Sequence, residues 1–444
     1  MPTVAQVKER IQELLEERAD NLGRETGFIK RERQLSGADF VQGLVFGLLH
    51  DPEHSTEELA TILGRRAVHI SASGLCQRFT EEAATFLLRL LEEAVALGLE
   101  ATDAAPIDVF ARFDAVVIED SSTIRLPDKL ADLWQSCAGG QGQSKAGLKL
   151  HVRWDLKQGG LQGPLLTPSR VADQSSPLRQ QGIAAGVLNI TDEAYCSLEW
   201  LRRQPGMFLS RPRSTVCFLD RESEQVLDLE QIGPQAVGHS LDREVLVGKE
   251  AKLPARLIMV RVPDDVVEQR QARIRADAKR RGQGQANLQS LARAKWTMLI
   301  TNVSREKLSL REVLVLQRAR WQIERLFRLW KQYGKIDEWK GRQRWRILCE
   351  IYAKVLAMVL QHWVLLLGTW HDPSRSLFKA AKQVRLHALE LFSALAGEGV
   401  WEQVMQRLLQ AMQQCRVHRR TKHPCHAQLL VDGLDWEIFD ECLT

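Results

Sequence analysis

The spacing of apolar positions splits the chain into helical and strand-like stretches. Residues 1–104 read as helical. "SGADFVQGLVFGLLH" opens at a plausible N-cap, Ser36, and "STEELATILG" is a capping box built on Ser55 and Glu58. A short break, "SASGLCQRF", and a long helix from Thr80 to about Leu97 complete a helix–turn–helix-like pattern. That pattern fits a plain helical bundle as well as a DNA reader. From residue 105 the period falls to two. "DAVVIED" (114–120) is a strand ending in acids, "GLKLHVRWDL" (147–156) alternates like a half-buried strand, and "GGLQGPLLTPSRV" follows a Gly-rich turn. "GVLNIT", the helical "AYCSLEWLRRQ" and "GMFLSR" then form a strand–helix–strand crossover. Hairpin strands followed by such a crossover predict a mixed sheet flanked by helices.

Residues 213–303 break this rhythm with "TVCFLD", "QVLDLEQI", "REVLVGK", "RLIMVRV" and "KWTMLITNV", a β-rich insertion interrupted by the basic helical segment "EQRQARIRADAKRRGQGQ". Helix returns from Ser309 to about Trp370, and residues 373–444 carry further helices. Within the returning helix, "RARWQIERLFRLWKQ" places Arg320, Glu324 and Lys331 in a sector of roughly 40° at about 100° per residue. Ala319, Ile323, Leu326, Phe327 and Trp330 form the apolar stripe beside it. A solvated face with i,i+4 pairing explains this pattern; so does a functional edge where the helix leaves its core.

Bulk charge adds little, because the net charge of a 444-residue chain is only +5. The basic residues instead cluster in 269–281, 318–345 and 416–422, and local clusters are what steer a polyanion. Eight cysteines without framework spacing fit reduced thiols, and the charged N-terminus has no signal-peptide core. The longest apolar run, 355–370, contains Gln361 and His362 and reads as a buried helix rather than a span. These features predict a soluble, intracellular protein with no membrane partner.

The chemistry lies in three acids. Asp120 ends a predicted strand, Asp192 follows "VLNIT" and precedes a helix, and Glu324 lies on the helix just described. Converging at one sheet edge, they would hold hard divalent cations through oxygen ligands. Two such metals roughly 4 Å apart clamp the attacking and leaving oxygens of an in-line phosphoryl displacement. Taken singly, Asp120 is as readily a cap or turn residue.

The combination resembles the DDE transposases of the insertion-sequence-four type, whose signature runs Tyr-x2-Arg-x3-Glu-x6-Lys. Arg320, Glu324 and Lys331 match that spacing, and Gln317 stands at the tyrosine position. "VVIEDSSTIRLP" resembles the family's first-aspartate motif. Asp192-Glu193-Ala194-Tyr195 stands where Asp-Arg-Gly-Tyr is usual. The likeness covers roughly residues 105–345. It implies an RNase H-like catalytic domain in two parts (105–212 and 304–372), a β-rich insertion (213–303), and helical domains at 1–104 and 373–444.

It further implies catalytic metal ligands Asp120, Asp192 and Glu324, with Mg²⁺ as cofactor and Mn²⁺ able to substitute. DNA-contacting residues would be Arg320, Lys331 and Gln317, the last offering an amide to a phosphate in place of the tyrosine. Trp296 and Trp321 occupy positions that in hairpin-forming relatives stabilise the DNA hairpin; for Trp296, packing within the insertion explains the residue equally well. The partners implied are double-stranded DNA, as terminal inverted repeats and as target, and a second copy of the chain in a synaptic dimer. The activity implied is cut-and-paste transposition by two-metal phosphoryl transfer, through a hairpin. A nuclease of the same fold without strand transfer, or a domesticated DNA-binding protein, would share many of these features. Asp220, in "CFLDRE", copies the second-aspartate context but is followed by a hairpin pattern, so Asp192 is preferred. The tail "CRVHRRTKHPCH", with Cys415, His418, His423, Cys425 and His426, fits no standard zinc spacing and reads as a phosphate-contacting stretch.

Overall fold

The computed structural model describes residues 3–31, 35–101, 103–137, 144–395, 397, 400–419 and 426–431. They fall into two compact units. One comprises Met1–Pro106, Ser121–Ala172 and Gln322–His418; the other comprises Ile107–Asp120, Asp173–Trp321 and Arg419–Thr444. Among the described residues there are nine strands: β1 (Val116–Leu126), β2 (Ala146–Asp155), β3 (Leu161–Pro168), β4 (Leu188–Thr191), β5 (Met207–Ser210), β6 (Phe218–Asp220), β7 (Ser240–Val247), β8 (Leu253–Arg261) and β9 (Trp296–Thr301). The sheet order is β3-β2-β1-β4-β5-β9-β8-β7-β6. The mixed sheet anticipated from the alternation pattern is therefore present.

In the first unit the helices start where the caps predict. Ser36 accepts from the Asp39 amide and Ser55 from the Glu58 amide, each closing a capping box. The apolar helix Arg344–Thr369 is the centre of this unit and packs against the helices Gly37–His50, Glu81–Leu97 and Leu377–Leu395. It is long and apolar enough to cross a membrane, yet its apolar window is wholly buried inside the protein. Its polar members must then find partners within the core. His362 Nε2 donates to the Gly159 carbonyl at 2.7 Å, and Trp154 Nε1 donates to the same oxygen at 3.2 Å. Gly159 turns the β2–β3 hairpin at φ +80°, and a Cβ there would meet Leu366 and Trp370 at under 3 Å.

The second unit holds the first half of β1 and all of β4 to β9. β1 runs parallel to β4 (Val116↔Leu188, Ile118↔Ile190) and β4 parallel to β5 (Leu188↔Met207, Thr191↔Ser210). β9 then pairs antiparallel with β5, and β8, β7 and β6 follow antiparallel. The β-rich stretch thus continues the sheet, over a core that includes Phe208, Phe218, Leu257, Trp296 and Ile300. Arg256, only 2 % exposed, pairs with Asp242 at 2.5 Å and donates to the Val303 and Leu308 carbonyls.

Two local expectations fail. β1 does not stop at its acids but runs to Leu126, because its second half packs Ile124 and Leu126 into buried positions that hold the backbone extended. Within "QVLDLEQI", residues Leu229–Ile232 form a short helix, started by the Asp228 carboxylate accepting from the Glu230 amide.

Burial pulls the pKa of His362 down to about 4, from 6.5. The unfolded chain therefore binds the extra proton first, and stability is lost as pH falls from about 6.5 towards 4. That loss amounts to about 3 kcal/mol. Urea unfolding at pH 7.5 and pH 5 should show a smaller difference in His362→Asn than in the wild type.

Candidate active site

Asp120 and Asp192 belong to one unit and share a level across the sheet. Ile118 pairs with Ile190 on the parallel strands β1 and β4. Each aspartate stands two residues beyond that pair, so strand alternation returns both to the same face. Asp192 Oδ1 accepts from the Ala194 and Tyr195 amides at 2.9 and 3.3 Å, opening the short 3₁₀ turn Glu193–Tyr195. Among the described residues Asp192 Oδ2 accepts no hydrogen bond. Asp120 Oδ2 receives Arg320 Nη1 at 3.2 Å, in a pair only 12 % and 18 % exposed.

The strand end carrying Asp192 is braced by residues that the motif does not single out. Thr191 Oγ1 donates to Ser210 Oγ at 3.1 Å, and Ser210 Oγ lies 3.4 Å from the Asp192 carbonyl. The small hydroxyls that end "LNIT" and "FLS" were the only sequence signal for this bracing. Gln317 is 5 % exposed, and its Nε2 donates to the Thr191 carbonyl at 3.3 Å. The expectation that Gln317 meets a DNA phosphate is not met in this conformation, since the side chain faces the β4 backbone from a buried position. Among the described residues its buried Oε1 has no hydrogen-bond partner.

The helix expected across 309–332 is two helices, Leu310–Ala319 and Trp321–Gln332, joined at Arg320. Arg320 keeps helical torsions (φ −50°, ψ −32°), so the chain continues in the same hand. Glu324, in the first turn of the later helix, and Lys331, in its last, belong to the first unit. Lys331 Nζ donates to the Thr123 carbonyl of β1 at 2.9 Å.

The two tryptophans differ. Trp321 is 46 % exposed. Trp296 is 3 % exposed, packs in the core of the insertion and donates from Nε1 to the Pro234 carbonyl at 2.8 Å. The open platform expected for Trp296 is therefore absent, and the packing alternative describes it. Asp220 ends the edge strand β6, far along the sheet order from β4. Its carboxyl is held at about 2, first by the Ser223 amide and hydroxyl and further by the Glu222 amide and Arg243. In the tail, Cys415 is buried, while His423 and Cys425 and the side chain of His426 lie outside the described residues.

The donor set suits a hard cation. Asp192 is oriented by backbone amides with one oxygen left over, and Asp120 supplies a second carboxylate at its level. Among the described residues, no group of three or more His, Cys, Asp or Glu side chains gathers to hold a metal.

A mixed sheet whose neighbouring parallel strands deliver two carboxylates to one level serves many chemistries, and sequence comparison narrows them. The sequence model of the family described as "Transposase DDE domain" matches residues 111–360, more than half of the chain. The chain belongs to the DDE transposase family, enzymes that cleave and transfer DNA strands and generally use divalent metal ions. Its nine-stranded sheet flanked by helices is the RNase H-like fold of that family. Among its relatives, the transposase for insertion sequence element IS231E of Bacillus thuringiensis subsp. finitimus is 26 % identical over 365 residues, covering 77 % of this chain and 75 % of the relative. That of IS231D from the same organism is 24 % identical, covering 85 % and 84 %. That of IS1151 from Clostridium perfringens is 20 % identical, covering 85 % and 82 %.

The contrast between the tryptophans is measurable as stability. Trp296→Ala should cost about 3–5 kcal/mol, as large core truncations do. Trp321→Ala should stay within about 1 kcal/mol, because a half-exposed side chain buries less area. Chemical denaturation of both variants checks the pair.

Proposed function

We propose that the chain is the cut-and-paste transposase of an insertion sequence, with Asp120, Asp192 and Glu324 as the ligands of catalytic Mg²⁺, for which Mn²⁺ can substitute. The observation that carries this reading is the common level of Asp120 and Asp192 on neighbouring parallel strands, in a chain that also matches the Arg-x3-Glu-x6-Lys spacing. Bound metal would lower the pKa of a water and neutralise charge developing on the scissile phosphate. The chain's own part is positional. Backbone amides fix the Asp192 carboxylate, Arg320 steadies Asp120, and Lys331 offers an ammonium to a phosphate if it leaves the Thr123 carbonyl. The 3′-hydroxyl freed by the first cut then attacks the opposite strand or the target.

In this reading residues 1–104 recognise terminal inverted repeats. Residues 105–212 and 304–372 carry the chemistry, around the insertion 213–303. Residues 373–444 supply a contact between two copies in a synaptic dimer. Asp120→Asn, Asp192→Asn and Glu324→Gln should each abolish Mg²⁺-dependent cleavage of a transposon-end duplex while leaving end binding within a few-fold, since binding rests on basic and helical surfaces. A variant that still cuts at near wild-type rate removes that residue from the set. Cleavage without joining by the wild type would instead define an RNase H-like nuclease.

The hairpin route rests on Trp321, whose exposed indole can stack on an unpaired base for roughly 1–3 kcal/mol. The first nick occurs in duplex, where no base leaves the stack, whereas a hairpin must unstack bases at its tip. Trp321→Ala should therefore accumulate nicked end while the nicking rate holds. Equal loss of nicking and hairpin in that variant, or no hairpin from the wild type, would sink the route.

A further inference from the structure

Several cations of the second unit stand beside acids and pair with them. Arg221 pairs with Glu244, Lys252 with Glu224, Lys295 with Glu230 and Arg305 with Asp242. The helix Asp264–Arg280 departs from this rule. Its distal half and the residue after it carry Arg273, Arg275, Lys279, Arg280 and Arg281, all exposed, against a single acid, Asp277. Arg280 takes that acid as its ion-pair partner. The Asp277 carboxyl is held below its ordinary range, first by that bond and then by the charges of Arg280, Arg281 and Arg273. Lys279 and Arg281 form no ion pair among the described residues, and Arg275 makes only a hydrogen bond to Gln271.

The excess charge also has a shape. Arg275 and Lys279, one helical turn apart, line a groove together with Gln283 and Gln285 of the following loop and Leu288, the first residue of the next helix. Cations at a helix C-terminus are favoured by the helix dipole, which accounts for Lys279 to Arg281. It does not account for Arg275, nor for the groove beside it. The position of the helix is telling as well. Arg270 anchors it to the Ala294 and Trp296 carbonyls, and repulsion from Arg211 and Arg273 adds to the burial that lowers the Arg270 pKa. Arg211 follows Ser210, the register partner of Thr191, so it stands level with Asp192.

We propose that the distal half of this helix, with the groove lined by Arg275 and Lys279, grips the phosphate backbone of duplex DNA lying beyond the reacting phosphate. The direction, though not the grip, rests on Asp192 marking the reaction centre. From Arg270 to Arg281 the helix advances about 16 Å at 1.5 Å per residue. That spans about five base-pair steps measured along the duplex axis, at about 3.4 Å each. The contact reads charge and not base sequence.

The test uses the full chain and a labelled duplex of random sequence, with Kd measured between about 50 and 200 mM KCl. Each lost phosphate contact lowers the slope of log Kd against log salt by about 0.9. The triple variant Arg275→Gln, Lys279→Gln, Arg281→Gln should lower it by about 2–3 and weaken binding about tenfold or more near 100 mM. Its melting temperature should hold, since all three side chains are exposed. Arg221→Gln with Lys252→Gln, which removes cations already paired, should leave slope and Kd unchanged. An unchanged slope in the triple variant overturns the proposal, and so does an equal loss in the control, which would reduce the effect to bulk charge. A wild type that binds steeply with salt yet never cuts a transposon end would defeat the functional reading while leaving the groove standing.

Discussion

The parallel pairing of β1 with β4 is the constraint on which the site depends. Parallel strands cannot be joined by a tight turn, so the chain between them must leave the sheet and return. Only the register Ile118↔Ile190 brings Asp120 and Asp192 to one level and one face. A slip of one residue would turn one of the acids to the opposite face. β4 is only four residues long, and all four are buried. So short a strand has few ladder bonds of its own to hold register. The hydroxyl link from Thr191 to Ser210 and the Gln317 amide on the Thr191 carbonyl add side-chain bonds at the point where its ladder ends.

The same logic governs the polar groups placed inside each unit. Arg256 is a charge in the core, stable there because Asp242 and two carbonyls take its donors. His362 remains neutral and holds the Gly159 turn. Gln317 is less complete: its amide nitrogen is bonded, while among the described residues its buried Oε1 has no partner. A buried acceptor left unpaired costs more than a neutral hydrogen bond returns, so this position draws in water or a further donor.

How much of this was legible in the chain depends on the range of the cause. Caps at Ser36 and Ser55 and the buried apolar helix follow from local pattern, and each appeared as read. β2 formed where its alternation placed a strand, but it is buried at all ten positions and not half-buried, because what covers its second face is not written in the local pattern. The carboxylate level was half legible. The strand–acid–helix context singled out Asp192, but the end of β1 was misread because a strand's length is decided by its neighbours. Trp296 was illegible for a similar reason. Alternation gives an indole a face, and only the insertion's full set of strands reveals that this face is the inside.

The spacing Arg320-x3-Glu324-x6-Lys331 looks in sequence like one charged stripe on one helix. In the molecule it is divided between two helices and two units, with the boundary between Trp321 and Gln322. Each of its two cations is tied to β1 within its own unit: Arg320 to the Asp120 carboxylate, Lys331 to the Thr123 carbonyl. Their attachment is not equivalent. Lys331 holds a neutral acceptor at the protein surface, a bond that water replaces at a net cost of about 1 kcal/mol. Arg320 holds an anion in a largely buried pair, where removing either partner leaves a charge in poor solvent. A phosphate can recruit Lys331 simply by arriving. To recruit Arg320 it must either share the guanidinium with Asp120, which a five-donor fork permits, or displace the carboxylate outright. Sharing preserves the charge balance around Asp120, so under the proposed function the ion pair is the fixed part of a phosphate-binding fork and not its competitor.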